Sequence, residues 1–211
     1  MQVENLLIAT SDNDVDYAKS LNSAKSFEQA MKMATFLSKA SFIPHDFQNK
    51  PSDCLIALQM AATLKVSPFE VMKGIYVVKG KPSFYSQFAI ALANTKGPFA
   101  GRINFRTEGE GPSLVVSAYA TMKDSGKEVS AAASMEMAQK EGWAKQNPKY
   151  LSMPEQMLSY KAALFLIRKH APEVLMGMHT DDEVKEIGGS TAMNSKIEEM
   201  NRKVERKADG I

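Results

Sequence analysis

Apolar residues along this chain change their period several times, and each change marks an element. "SFEQAMKMATFLSKA" spaces Phe27, Ala30, Met31, Ala34 and Phe36–Leu37 at helical intervals, with Ser26 and Gln29 placed as a capping pair. "NKPSDCLIALQMAATLKV" predicts a second helix with Ser52 as cap, ending before Pro68, and "PFEVMKG" a short third turn. Ile75–Val78 and Ser83–Tyr85 flank a Gly-Lys pair and read as a hairpin that carries Lys79 and Lys81 at its tip. "SQFAIALANTKG" is a helix stopped by Gly97–Pro98. Three strand-like runs follow, 101–106, 113–122 and 128–133, joined by the turn compositions "TEGEGP" and "KDSGK". "SMEMAQKEGW" and "MPEQMLSYKAALFLIRKH" return to helical spacing.

The order αα, ββ, α, βββ, αα predicts an α+β fold: a β-hairpin and a three-stranded antiparallel meander packed with helices. Residues 1–24 are polar and aperiodic, an expected arm; 25–187 form the core; Gly188–Gly189–Ser190 opens an expected flexible linker and charged tail over 188–211. The chain has 211 residues of which 44% are hydrophobic, enough for a real core, and no apolar run reaches bilayer-spanning length. The N-terminal residues lack a signal peptide's basic flank and apolar segment, so a cytoplasmic location is expected, with no membrane partner. A single cysteine, Cys54, excludes an internal disulfide, and its apolar setting reads as a buried structural thiol. Three histidines (His45, His170, His179) without a cysteine partner argue against a zinc site. The fourteen methionines sit mostly at helical core positions.

Charge is divided along the chain. Residues 65–106 carry +6 and 139–172 carry +4, while 1–64, 107–138 and 173–211 carry −2, −3 and −3. Two basic blocks set among acidic ones are the footprint of a surface that meets a polyanion.

The first block contains "GIYVVKGKPSFYSQF", whose Gly, Gly-Lys and Ser resemble a nucleotide-binding phosphate loop. The register fails: five residues separate Gly74 from Gly80 where four are required, and Pro82 stands where the Mg²⁺-binding hydroxyl belongs. The lysines therefore act as an open charged hairpin beside a groove, or as edge-protecting charges with no ligand. Tyr76, Phe84 and Tyr85 flank them, and Arg102 and Arg106 complete the block.

In the second block, Lys161 and Arg168 lie seven residues apart, 20° short of two helical circles and ~10 Å along the axis. On an otherwise apolar helix they predict a narrow basic stripe at a DNA groove, or two cations that simply reach solvent. Lys169 adjoins it. Trp143 among Lys140, Lys145 and Lys149 suits base stacking with backbone neutralisation, although a core position serves an aromatic equally well. Asp181–Asp182–Glu183 has the density of a metal site, but Thr180 three residues before Glu183 reads as a helix cap with first-turn acids. Glu108 and Glu110 fall in a turn. No hydrolase, zincin or kinase motif is present.

Taken in order, "LIALQMAATLKVSP", "GIYVV", the hairpin, the meander, Trp143 before a basic loop, "ML" with Lys161–Ala162 and Arg168, Gly177 and "TDDEVKEI" resemble the RecT/Redβ family of phage single-strand annealing recombinases over roughly residues 27–187. The resemblance implies ATP-independent annealing of complementary strands on an oligomeric ring or filament. It implies single-stranded DNA and annealed duplex as partners, homo-oligomerisation, and a phage 5′–3′ exonuclease and host single-strand-binding protein as further partners. The short segment after residue 188 leaves those last contacts open. No enzymatic step and no resident cofactor is implied, with Mg²⁺ acting on annealing only as a modulator. Lys161 and Arg168 match basic positions that hold phosphates, and Trp143 matches the Trp before that helix. The expected DNA contacts are Lys79, Lys81, Tyr85, Arg102, Arg106, Trp143, Lys161, Arg168 and Lys169. A metal-dependent nuclease using Asp181, Asp182 and Glu183, and a non-annealing single-strand binder, remain the alternatives.

Overall fold

The computed structural model describes residues 24–78, 81–180 and 183. Mixed α+β architecture is organised around two small sheets and several helices. Contacts divide the chain into two compact units that meet at Tyr76/Val77.

The first unit is helical. α1 (Ala24–Ser38) and α2 (Pro51–Leu64) pack against each other, and α3 (Pro68–Gly74) packs on α2. α1 buries only the small residues Ala30, Ala34 and Ser38, a stripe at four-residue spacing that lets its axis approach α2 closely. Ser26 lies inside α1 and Ser52 inside α2, so neither is the cap that spacing predicted; α2 instead opens with Pro51 at its first turn, where a missing N–H costs nothing. The capping box falls at α3, where the Ser67 hydroxyl accepts from Glu70 N–H and the Glu70 carboxylate accepts from Ser67 N–H. Cys54 is buried in α2 with Sγ 3.4 Å from the Phe47 carbonyl, and burial raises its thiol above the ordinary value. Phe36 and Phe42 face outward at 77% and 89% exposure.

β1 (Ile75–Val78) carries the chain across the unit boundary into a sheet of order β1-β2-β6, with β2 at Lys81–Phe84 and β6 at His179–Thr180. β6 pairs parallel with β2, Ser83 opposite His179 and Phe84 opposite Thr180. Two residues flanked by no strong β-former gave no sequence signal for this strand. α4 (Ser86–Lys96) follows and stops at Gly97, where an added Cβ would stand 2.4 Å from the Ala93 carbonyl oxygen.

The second sheet is antiparallel in the order β3-β4-β5, with β3 at Asn104–Glu108, β4 at Val115–Thr121 and β5 at Glu128–Ser134. Strand alternation sends Val116, Ala118 and Ala120 inward on β4 and Ala133 inward on β5. After β5 come α5 (Met135–Lys140), α6 (Trp143–Gln146) and α7 (Lys149–Ser152), then the long helix α8 (Pro154–His170). α8 packs on β4, β5 and α4 and is buried on most sides, which is why its apolar residues show no single stripe. Leu158, Leu166 and Ile167 are fully buried, worth about 1.5–3 kcal/mol each. Small residues are buried on both partners, Ala118, Ala120 and Ala133 on the strands and Ala162 and Ala163 on the helix. Polar contacts tie it to its neighbours: Thr107 Oγ1 donates to Glu155 at 2.8 Å, and Gln87 donates to Tyr160 Oη, which also accepts from Gln156 on α8 itself. Among the described residues no single helix is long and apolar enough to cross a membrane.

Ala118→Leu should overpack this seam and lower stability by about 1–3 kcal/mol. A urea midpoint equal to that of the unsubstituted protein would show that α8 does not lie on β4 as described.

Candidate nucleic-acid interface

α5 ends where Gly142 takes a left-handed conformation (φ 76°, ψ 10°), its N–H bonding back to the Gln139 carbonyl. That turn delivers Trp143 to the start of α6 and aims it inward. The indole is 6% exposed, tilted against Tyr150 at 6.1 Å and Phe165 at 6.0 Å between ring centroids. Lys161 comes up from α8 beneath it: Nζ lies 4.2 Å from the Trp143 ring centroid and 5.6 Å from that of Phe165. The side chain is 2% exposed. Attraction between a cation and the negative face of an indole strengthens as water is removed, so this is a geometry in which a buried amino group is held.

Arg168, two turns further on, is also held from inside. Its Nε donates to Glu183 Oε1 at 2.8 Å, and its Nη2 donates to Glu183 Oε2 and to the Met178 carbonyl at 2.7 Å. The Thr180 N–H donates to the same Oε2 at 2.8 Å, and His179 Nδ1 lies 3.7 Å from it. The chain reaches this position by leaving α8 through a 3₁₀ turn (Pro172–Leu175) and reversing at Met176 and Gly177, both left-handed (φ 47° and 73°). Burial works against charge on Glu183, but the hydrogen bonds from Arg168 and Thr180 and the guanidinium charge outweigh it and hold the carboxyl below its ordinary value.

The solvent-facing stripe expected of Lys161 and Arg168 is therefore absent in this form: one side chain lies under a tryptophan, the other in a carboxylate fork. Seven-residue spacing fixed their alignment on the helix, but burial on most sides of α8 left no open face for Lys161. Arg106 is engaged as well, 3.9 Å over the Tyr119 ring and paired with Glu128 at 3.2 and 3.3 Å on the outward face of the second sheet. Arg102, before β3, and Lys169, at the end of α8, are exposed and have no ion pair among the described residues. Tyr85 precedes α4 and is 44% exposed. Lys79 and the side chain of Lys81 lie outside the described residues, as do Asp181 and Asp182.

The Thr180-to-Glu183 spacing does form one arm of a capping box, since Glu183 accepts from the Thr180 N–H. Glu183 as partner of Arg168 was not legible, because the contact spans fifteen residues and depends on the left-handed reversal. Among the described residues no cluster of three metal-ligating side chains occurs. An open cleft of about 670 Å³ beside the start of α8 is lined by Glu110, Glu155, Met153 and Leu114 and carries no cation, which makes it unsuited to phosphate.

The sequence profile of the RecT family matches residues 28–199, more than half of the chain. The chain belongs to the RecT family. Comparison with curated proteins gave no match. Membership makes this RecT-family protein a single-stranded-DNA-binding protein that serves strand annealing in DNA recombination.

Two measurements check the geometry. Lys161→Ala removes three methylenes and the amino group from beneath the sole tryptophan and should cost about 2–4 kcal/mol, with Lys161→Met costing less because it refills the space. Both should shift Trp143 emission; unaltered emission in both would place the amino group elsewhere. For Glu183, a lowered folded value means that the stability it contributes is present above the unfolded carboxylate range, near ~4.3, and is lost as pH falls through the lower folded value. The melting-temperature gap between the unsubstituted protein and Glu183→Gln should therefore close in acid, and a gap independent of pH would exclude the ion pair as its source.

Proposed function

We propose that this protein anneals complementary single strands without ATP, as a homo-oligomeric ring or filament, in phage recombination inside the bacterial host cytoplasm. The family match over residues 28–199 carries the reading. Annealing needs no nucleophile: cations neutralise two backbones while base edges stay accessible, and pairing and stacking supply the drive. The protein on this reading is not an enzyme and uses no resident cofactor.

Exposed cations supply the first grip on the strand. Arg102 and Lys169 stand ready in the described surface, with the hairpin residues Lys79 and Lys81 and the neighbouring Tyr85 as further contacts. Lys161 and Arg168 reach phosphate only when their internal partners yield, and Trp143, parted from Lys161, then stacks on a base. Arg106 contributes after release from Glu128. The outward Phe36 and Phe42 of the first unit support assembly, since exposed large apolar side chains of this kind commonly mark a subunit contact.

Mixing two complementary oligonucleotides with the protein and no nucleotide should accelerate duplex formation, with rings or filaments visible among the particles. Arg102→Ala and Lys169→Ala should each flatten the log K against log [salt] slope by about 0.7 per lost phosphate contact. No acceleration, or cleavage of the strands with Mg²⁺, would overturn the reading.

A further inference from the structure

The fork around Arg168 has the donor set of an oxyanion site. Nε and Nη2 of Arg168 converge on one carboxylate, the Thr180 N–H joins them at 2.8 Å, and His179 Nδ1 stands 3.7 Å away. A phosphodiester, like a carboxylate, presents paired oxygens with shared charge, and a planar guanidinium meets either two at a time. Nη1 has no acceptor among the described residues, and the Arg168 and Glu183 side chains are 31% and 25% exposed, so the pair is reachable from solvent.

Glu183 also cancels the charge it holds. A guanidinium closed by a carboxylate presents little net attraction to a strand, and an approaching phosphate meets the charge of Glu183 first. The chain reaches that carboxylate through the reversal at Met176–Gly177 and the two-residue β6.

We propose that Arg168, the Thr180 N–H and His179 form a phosphodiester site that Glu183 fills in the unliganded protein and that a single DNA strand enters by displacing the carboxylate. This rests on the annealing reading above and deepens it. Exchange of one anion for another needs no bond broken in either. It serves annealing because a strand must be gripped and then let go: the returning carboxylate competes with phosphate and hastens release.

Binding of a labelled oligothymidylate across a salt series, to the full chain and to Glu183→Gln, Arg168→Ala and the double variant, tests it. Glutamine keeps an oxygen for the Thr180 N–H but removes the competing charge. Glu183→Gln should bind roughly three- to tenfold tighter, with a salt slope steeper by about 0.7, and the double variant should lose both gains. A purely structural latch would instead leave Glu183→Gln binding equal or weaker at an unchanged slope, which overturns the proposal while annealing by the unsubstituted protein stands. Absence of binding by every form would overturn the annealing reading and this site together. Should Glu183→Gln fail to fold, titration of the Glu183 carboxyl in the unsubstituted protein, followed by carbon-13 NMR, decides: with oligonucleotide bound it is expected to rise from its lowered value as the carboxylate leaves Arg168, and an unmoved titration overturns the proposal.

Discussion

The seating of α8 on the β3-β4-β5 sheet governs the rest of the second unit. Buried alanines stand on both partners, Ala118, Ala120 and Ala133 on the strands and Ala162 and Ala163 on the helix, which also buries Leu158, Leu166 and Ile167. Interiors tolerate neither voids nor surplus volume, so the distance between helix and sheet is set within narrow limits. That distance positions both Lys161 and Arg168, since a single rigid rod carries them.

Its position also explains why the two cations are sheltered. A helix covered on most sides cannot send a long charged side chain straight to water, and an unmatched charge in such surroundings is costly. Trp143 and Phe165 answer that cost for Lys161 through their ring faces, and Glu183 answers it for Arg168 through a bidentate pair. The family's chemistry asks for cations that engage a polyanion, while the free protein needs them quiet.

Periodicity revealed the helices and the three strands of the larger sheet because burial imposes it: β4 alternates along Val115–Thr121, and α4 and α8 read as helices with clear stops. Hydroxyl residues misled at the helix starts, where Pro51 and the unforeseen Ser67–Glu70 box took the roles given to Ser52. β6 escaped because a two-residue strand is chosen by its neighbour β2 and not by its own composition. The candidate site was visible as residue types and spacing but not as exposure. Nothing in "MLSYKAALFLIRKH" distinguishes a lysine under an indole from one in solvent, and the partner of Arg168 lies beyond a left-handed corner.

The rung between β2 and β6 has one more implication. It stitches the segment leading from the hairpin to the segment that ends in Glu183, through Ser83 opposite His179 and Phe84 opposite Thr180. Two regions far apart in sequence, one inside the basic block 65–106 and the other just beyond the basic block 139–172, thereby share a mechanical joint. Thermodynamic reciprocity then applies: an event that loosens this joint at one end must be felt, to the same degree in free energy, by whatever occupies the other.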